Sequence, residues 1–286
     1  MNVTSQYAIS NLKYVRQSDT RIDLSHFPDF MIIGPQRTGT TWLYENLNQH
    51  PQIFLSNPKE IFYFNTLDKP DNPRHRSNDL AWYLNFFYDT PEQYSHRNMN
   101  ALANFGERYK PKIRGEATAS YAAMNRDLIK EIVILNPNIK IILMIRHPVA
   151  RAWSHVKFFI MDQSTKTFAE YSESEFKNFF NMDYQIACGR FTEIIKNWSS
   201  LVKEGNLFVG SFYDIGKFPD QLLLRLFKFL GVRSSPKYIR PSARERINST
   251  EEIEIPEKYR KMLEEMFQDE LEKLEQTFDL SWETEF

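Results

Sequence analysis

The sequence predicts an α/β chain in three layers: a mainly parallel central sheet flanked by helices, with a P-loop-like turn after the first strand. Three observations predict it. Stretches that are apolar on successive residues, as strands covered on both faces are, lie at Asp29–Ile33, Lys112–Gly115, Ile139–Ile145 and Leu207–Phe212, with Gln52–Leu55 as a fifth. Helical patterns lie between them, at Thr41–His50, Ala122–Leu135 and Pro148–Met161. Such alternation favours a doubly wound sheet. The first strand runs into Gly34-Pro35-Gln36-Arg37-Thr38-Gly39, the Gly-x-x-x-x-Gly spacing of a phosphate cradle at a helix start.

The remaining elements fit the same frame. Residues 65–112 are rich in Asn, Asp, Pro and aromatics and read as an insertion over the sheet, a lid or an acceptor wall, with one helix near Asp79–Phe87. Pro219–Leu230 has Pro at its start and Gly231 at its end, the usual punctuation of a helix. Pro256–Phe278 carries an apolar stripe at Tyr259, Met262, Leu263, Met266, Phe267, Leu271 and Leu274, which marks a packing face. A single domain over residues 1–286 accommodates all of this.

Bulk properties remove several function classes. The 36 basic and 37 acidic residues give a net charge of −1, against the basic excess that general nucleic-acid binding requires. One cysteine, Cys188, permits no intrachain disulfide and fits a reducing, cytoplasmic setting. No run approaches the ~18 apolar residues of a membrane span.

The loop departs from a nucleotide triphosphatase. Where such an enzyme has lysine after the second glycine, this chain has Thr40. Backbone N–H groups at a helix start still bind phosphate, Thr40 and Thr41 add hydroxyls, and Arg37 supplies charge from the other side of the loop. The strand at Ile139–Ile145 leads into Arg146, where a magnesium-binding enzyme needs an acid. Residues 132–161 hold no Asp or Glu but do hold Lys140, Arg146, His147, Arg151, His155 and Lys157. These residues suit an anion held directly by basic side chains, with no metal. Arg146 at the strand end and Ser154 on the following helix can converge on one phosphate.

Together these residues resemble the sulfotransferases that use 3′-phosphoadenosine-5′-phosphosulfate (PAPS) and release adenosine 3′,5′-bisphosphate (PAP). The family's 5′-phosphosulfate loop is similar to Arg37-Thr38-Gly39-Thr40-Thr41. Its 3′-phosphate motif, an Arg after an apolar strand with a Ser eight residues on, is similar to Arg146 and Ser154. A Lys-Glu pair before an aromatic stretch, Lys59-Glu60-Ile61-Phe62-Tyr63-Phe64, looks like the heparan-sulfate-type and bacterial branch. The resemblance implies Glu60 as general base, Lys59 as a donor to the transferring group, and Arg37 with the loop amides at the 5′-phosphate. It implies Trp42 and Phe212 as aromatics against the adenine, with core packing the other reading for both. It implies that a late basic loop, with Arg244, Arg246 and Asn248, closes on the 3′-phosphate. Two departures, Phe62 where the branch often has His and Ala117 where it often has Lys, bear on the acceptor.

The acceptor is expected to be a small neutral or cationic metabolite, such as a natural product of the saxitoxin alkaloid type, taking the group on oxygen or nitrogen. The insertion mixes Trp82, Tyr83, Phe86, Phe87 and Tyr88 with Asp79, Asp89 and Glu92, and Glu107 and Glu116 follow; aromatics with carboxylates suit a flat or cationic ligand. The competing readings are a nucleotide kinase or NTPase, a glycan sulfotransferase, and an inactive binding module.

Overall fold

The computed structural model describes residues 11–17, 23–163, 166–245 and 253–278. Its centre is a five-stranded parallel sheet of order β2-β3-β1-β4-β5, formed by β1 (Phe30–Gly34), β2 (Ile53–Leu55), β3 (Ile113–Ala117), β4 (Lys140–Ile145) and β5 (Leu207–Ser211). All five lie within a residue or two of the stretches expected from the sequence. The register places Phe30 beside Gly115 on one side and Lys140 on the other.

Side-chain alternation along β1 explains the three layers. Met31 and Ile33 face one layer, with α4 (Arg126–Leu135) and α8 (Phe191–Ser199) packed over them; Phe30 and Ile32 face the other, under α1 (Thr40–Leu47) and α10 (Pro219–Leu230). A third apolar cluster joins α5 (Pro148–Phe158), α6 (Glu173–Phe180) and α11 (Glu257–Thr277) through Trp153, Phe176, Tyr259 and Phe267.

The insertion is more regular and more deeply packed than its composition suggests. It holds α2 (Leu80–Leu84), continued by a 3-10 turn at Asn85–Phe87, and a second helix, α3 (Pro91–Phe105), absent from the sequence expectation. A capping box between Thr90 and Gln93, Pro91 in the first turn and left-handed Gly106 at the end bound α3. Leu80, Tyr83 and Phe87 are fully buried in the cluster beneath β1. Helix α5 ends at Phe158 and passes into a π turn at Phe159–Gln163. Among the described residues no helix is long and apolar enough to cross a membrane.

Candidate active site

The first loop leaves β1 at Gly34 (φ 93°) and re-enters helix at Gly39 (φ 86°), the N-cap of α1. Both glycines are required by space as well as by φ. A Cβ on Gly34 would stand 2.1 Å from the Ala119 carbonyl oxygen, and one on Gly39 would stand 2.2 Å from Ile215 Cδ1. Between them Arg37 is also left-handed, at φ 70°, a conformation that costs a non-glycine residue energy and recurs at functional sites. The buried Thr38 hydroxyl donates to the Pro35 carbonyl at 2.7 Å, so it shapes the loop from within. Thr40 is buried and Thr41 half-buried in the first turn of α1.

The strand-end arginine and the helix serine meet through this loop. Arg37 Nε donates to Ser154 Oγ at 2.9 Å, and Arg146 Nη1 donates to the Arg37 carbonyl at 2.9 Å. Arg146 lies over the Phe212 ring at 4.2 Å, and Arg37 over Phe158 at 5.0 Å. Phe212 opens α9 (Phe212–Lys217) directly after β5, is half-buried, and comes within 3.4 Å of the Cβ position of Gly39. Thus Arg37, Gly39, Arg146, Ser154 and Phe212, from four separate segments, share one place at the carboxyl ends of β1, β4 and β5. That is where an open parallel sheet binds ligands.

Other expected cofactor residues stand differently. Trp42 is 3% exposed and its indole N–H donates to the Ala243 carbonyl at 2.9 Å, so here it packs in the core and offers no open face to a base. Arg244 pairs with Asp220 at 2.6 Å, in the first turn of α10. Arg246 and Asn248 lie outside the described residues.

Lys59 and Glu60 follow β2. Glu60 is left-handed (φ 64°), and its backbone N–H donates to the Ala117 carbonyl at 2.8 Å. One carboxylate oxygen accepts from the Ala119 N–H at 3.0 Å, the other from Lys59 Nζ at 2.6 Å. The side chains of Lys59 and Glu60 are only 19% and 25% exposed. Ala119 is therefore the hinge of the arrangement: its N–H holds Glu60, and its carbonyl presses on Gly34. Thr118 N–H to Ile32 O and Ala122 N–H to Ile33 O, at 3.1 and 2.8 Å, continue this attachment to β1. A carboxylate with lone pairs to spare and a cation beside it can take a proton and steady an anion together.

Four of the five acids assigned to the acceptor wall, Asp79, Asp89, Glu107 and Glu116, are engaged elsewhere. Asp79 caps α2 by accepting from the Ala81 N–H, Asp89 pairs with Arg97 at 2.9 Å, and Glu107 accepts from Arg233, Lys237 and Tyr238. Glu92 lies in the exposed first turn of α3. Glu116 is fully buried, and it accepts from Tyr83 OH at 2.5 Å with Thr118 and Tyr121 hydroxyls at 3.3 and 3.4 Å. Burial pushes its carboxyl up to about 8, against the pull of these hydrogen bonds and helped by the nearby Glu60 charge. The wall aromatics Tyr83 and Phe87 are interior as well. For Asp79, Asp89, Glu107, Glu116, Tyr83 and Phe87 these placements correct the expectation of free wall groups, since folding uses them as caps, ion pairs and core; Trp82, Phe86, Tyr88 and Glu92 remain at least partly exposed.

Some participants carried no motif. Tyr184 OH donates to Gln36 Oε1 at 2.6 Å, bracing the loop from α7 (Asp183–Gly189). His155 bonds Gln185 through Nδ1 at 3.0 Å. Burial, then the Arg151 charge, and further the charges of Arg37 and Arg74, depress it to about 3, so its imidazole is neutral at physiological pH. Cys188 is buried and its thiol is pushed up by burial, as suits an inert packing residue.

Residues 27–281 match the model of the sulfotransferase domain. The chain belongs to that family. Its relatives include the membrane-associated sulfotransferase kil1 of Dictyostelium discoideum, 35% identical over 133 residues, covering 46% of this chain and 23% of that protein. Another is the mouse bifunctional heparan sulfate N-deacetylase/N-sulfotransferase 4, 34% identical over 134 residues, covering 45% of this chain and 13% of that protein. The chain thus spans less than a quarter of these two relatives' length. Among solved structures, a sulfotransferase from Alicyclobacillus acidocaldarius superposes with a TM-score of 0.63 at 22% identity, covering 89% of this chain and 96% of that one; this likeness is one of fold.

Proposed function

We propose that this member of the sulfotransferase family transfers the sulfuryl group of PAPS to a hydroxyl or nitrogen of a small-molecule acceptor, releasing PAP. When bound, PAPS supplies an already activated sulfuryl group; the protein's residues position it and handle the proton. Arg37 and the amides around Gly39 hold the 5′-phosphate side, while Arg146 and Ser154 serve the 3′-phosphate. Phe212 offers an aromatic face already covered on one side by Arg146. Glu60 takes the acceptor's proton as the new bond to sulfur forms and the bond to the 5′-phosphate oxygen breaks. Lys59, with three N–H donors, keeps Glu60 and steadies the transferring group.

One observation carries the proposal: the proton-accepting carboxylate and the phosphate loop are fixed to one residue, Ala119, so base and anion site are held in register. Support for a nucleotide kinase or NTPase is weaker, since Thr40 replaces the loop lysine and β4 leads into Arg146 instead of an acid. Support for a cationic acceptor, including a saxitoxin-type alkaloid, is reduced by the engagement of Asp79, Asp89, Glu107 and Glu116 described above. The test is a radiolabelled-PAPS transfer screen over glycans, phenols, alcohols, amines and cationic alkaloids, with magnesium-dependent ATP hydrolysis measured in parallel. Label transfer to a small acceptor is expected. ATP turnover without sulfuryl transfer, or transfer confined to glycosaminoglycans, overturns the proposal.

A further inference from the structure

Two residues after Glu60, Phe62 is also left-handed, at φ 57°. The Arg74 guanidinium lies over the Phe62 ring at 4.5 Å. The loop that carries it is built. Thr66 Oγ1 donates to the Phe62 carbonyl at 2.7 Å, and His75 Nδ1 lies 3.3 Å from that hydroxyl. The Arg74 N–H donates to Asn72 Oδ1, and the backbone N–H groups of Asn72 and His75 close successive turns onto Lys69 and Asn72. Two arginines here have different fates. Arg76 is turned back onto the carbonyls of Pro73 and His75, whereas Arg74 is exposed, and among the described residues no carboxylate pairs with it. The segment that follows Phe62 is tied to the turn that holds Glu60: Asn65 Nδ2 donates to Ser120 Oγ at 2.9 Å, next to the Ala119 N–H that donates to the Glu60 carboxylate at 3.0 Å.

Taking the proposed function as its premise, we infer that Arg74, placed over the ring of Phe62 two residues from Glu60, is a specificity-determining residue that selects an acceptor bearing an oxyanion: a small hydroxylated or amino-bearing organic acid. Cofactor phosphates satisfy Arg37 and Arg146, and Glu60 satisfies Lys59. Arg74 is left to face the acceptor. A guanidinium stacked on a ring keeps its N–H edges in plane for a carboxylate, sulfate or phosphate, and stacking lowers the entropy lost on binding. Asp79 and Asp89, which could have drawn a cation, are spent on a helix cap and an ion pair.

The test uses the full chain saturated with PAP, so that the phosphate sites are filled. Binding of 4-hydroxybenzoate and of its uncharged amide, 4-hydroxybenzamide, is compared by ligand-observed NMR titration for wild type, Arg74→Ala and Arg74→Lys, at low and high salt. The acid is expected to bind wild type roughly tenfold tighter than the amide, as one charge-assisted contact gives. Arg74→Ala should erase that preference, Arg74→Lys should keep part of it, and salt should weaken it, while PAP binds all three alike. Equal binding of acid and amide, or a preference that survives in Arg74→Ala, overturns the inference. Arg74-dependent capture of a sulfated heparan oligosaccharide without capture of the small acid overturns its small-acceptor part. Failure of PAP to bind wild type is a different result and counts against the proposed function itself.

Discussion

Arg37 and Ser154 are joined across the cleft by a 2.9 Å hydrogen bond from Nε to Oγ, and the Arg37 carbonyl is held in turn by Arg146. The phosphate loop and helix α5 are therefore one preassembled unit, and its conformation depends on Arg146 as much as its charge does. Arg146→Ala is expected to weaken PAP binding by about 1.5–3 kcal/mol, or roughly 10- to 150-fold, the worth of charged hydrogen bonds. Calorimetry on the folded variant checks this. Wild-type affinity would remove Arg146 from the cofactor site.

Glu60→Gln separates binding from chemistry. The amide can still accept from the Ala119 N–H and fill the same space, so PAP affinity should stay near wild type. Turnover should drop by roughly 10²–10⁴-fold, the usual worth of a positioned general base. Single-turnover transfer from labelled PAPS reads this directly. A near-normal rate would hand the proton to another group. His155 is a poor replacement, being half-buried and bonded to Gln185.

The sheet and the phosphate loop were legible because their signals are local. Apolar runs, a strand-turn-helix spacing and Pro or Gly at helix ends depend on neighbours in sequence, and β1, β4 and α10 fall where these place them. Glu60 could be singled out as a candidate base because Lys59-Glu60 sits in a recognisable motif. What held it in place, Ala119, has no chemical signature, since its role is carried by backbone N–H and C=O. Helix α3 escaped because its polar, Asn-rich surface hides the apolar positions Ala101 and Phe105, although Thr90-Pro91-x-Gln93 was a readable start. The carboxylates of the insertion were misjudged for a deeper reason. Composition cannot tell a carboxylate free to bind a cation from one that caps a helix, as Asp79 does, or answers an arginine, as Asp89 does.

Gly34→Ala tests the backbone contact that links loop and base. The new Cβ would meet the Ala119 carbonyl oxygen at 2.1 Å, and φ of 93° is itself unfavourable for alanine. Neither party is a flexible side-chain end, so the clash must be relieved by moving β1 or the Ala119 turn. A stability loss of about 2 kcal/mol or more is expected from urea denaturation, with a loss of transfer rate exceeding that of PAP affinity because Glu60 shifts with Ala119. A variant as stable and active as wild type would show that the contact is not required.

Glu116 predicts a pH dependence whose sign is fixed by its direction of shift. Its folded carboxyl is raised to about 8 from an ordinary 4.5, because burial penalises the charged form. Below pH 4.5 the group is protonated in both states and its stabilising contribution is complete. As pH rises past 4.5 the unfolded chain releases the proton while the folded chain keeps it, so that contribution declines steadily until about pH 8. Glu116→Gln is uncharged throughout and can still accept from Tyr83 OH. The stability of wild type minus that of the variant should therefore fall between pH 5 and 8, by up to ~1.4 kcal/mol per pH unit. Histidines and surface carboxylates are common to both proteins and cancel in that difference. Denaturation midpoints across this range supply the measurement. Parallel curves would mean that Glu116 is already ionised in the folded chain, and that Tyr83, Thr118 and Tyr121 stabilise a buried anion beneath Glu60.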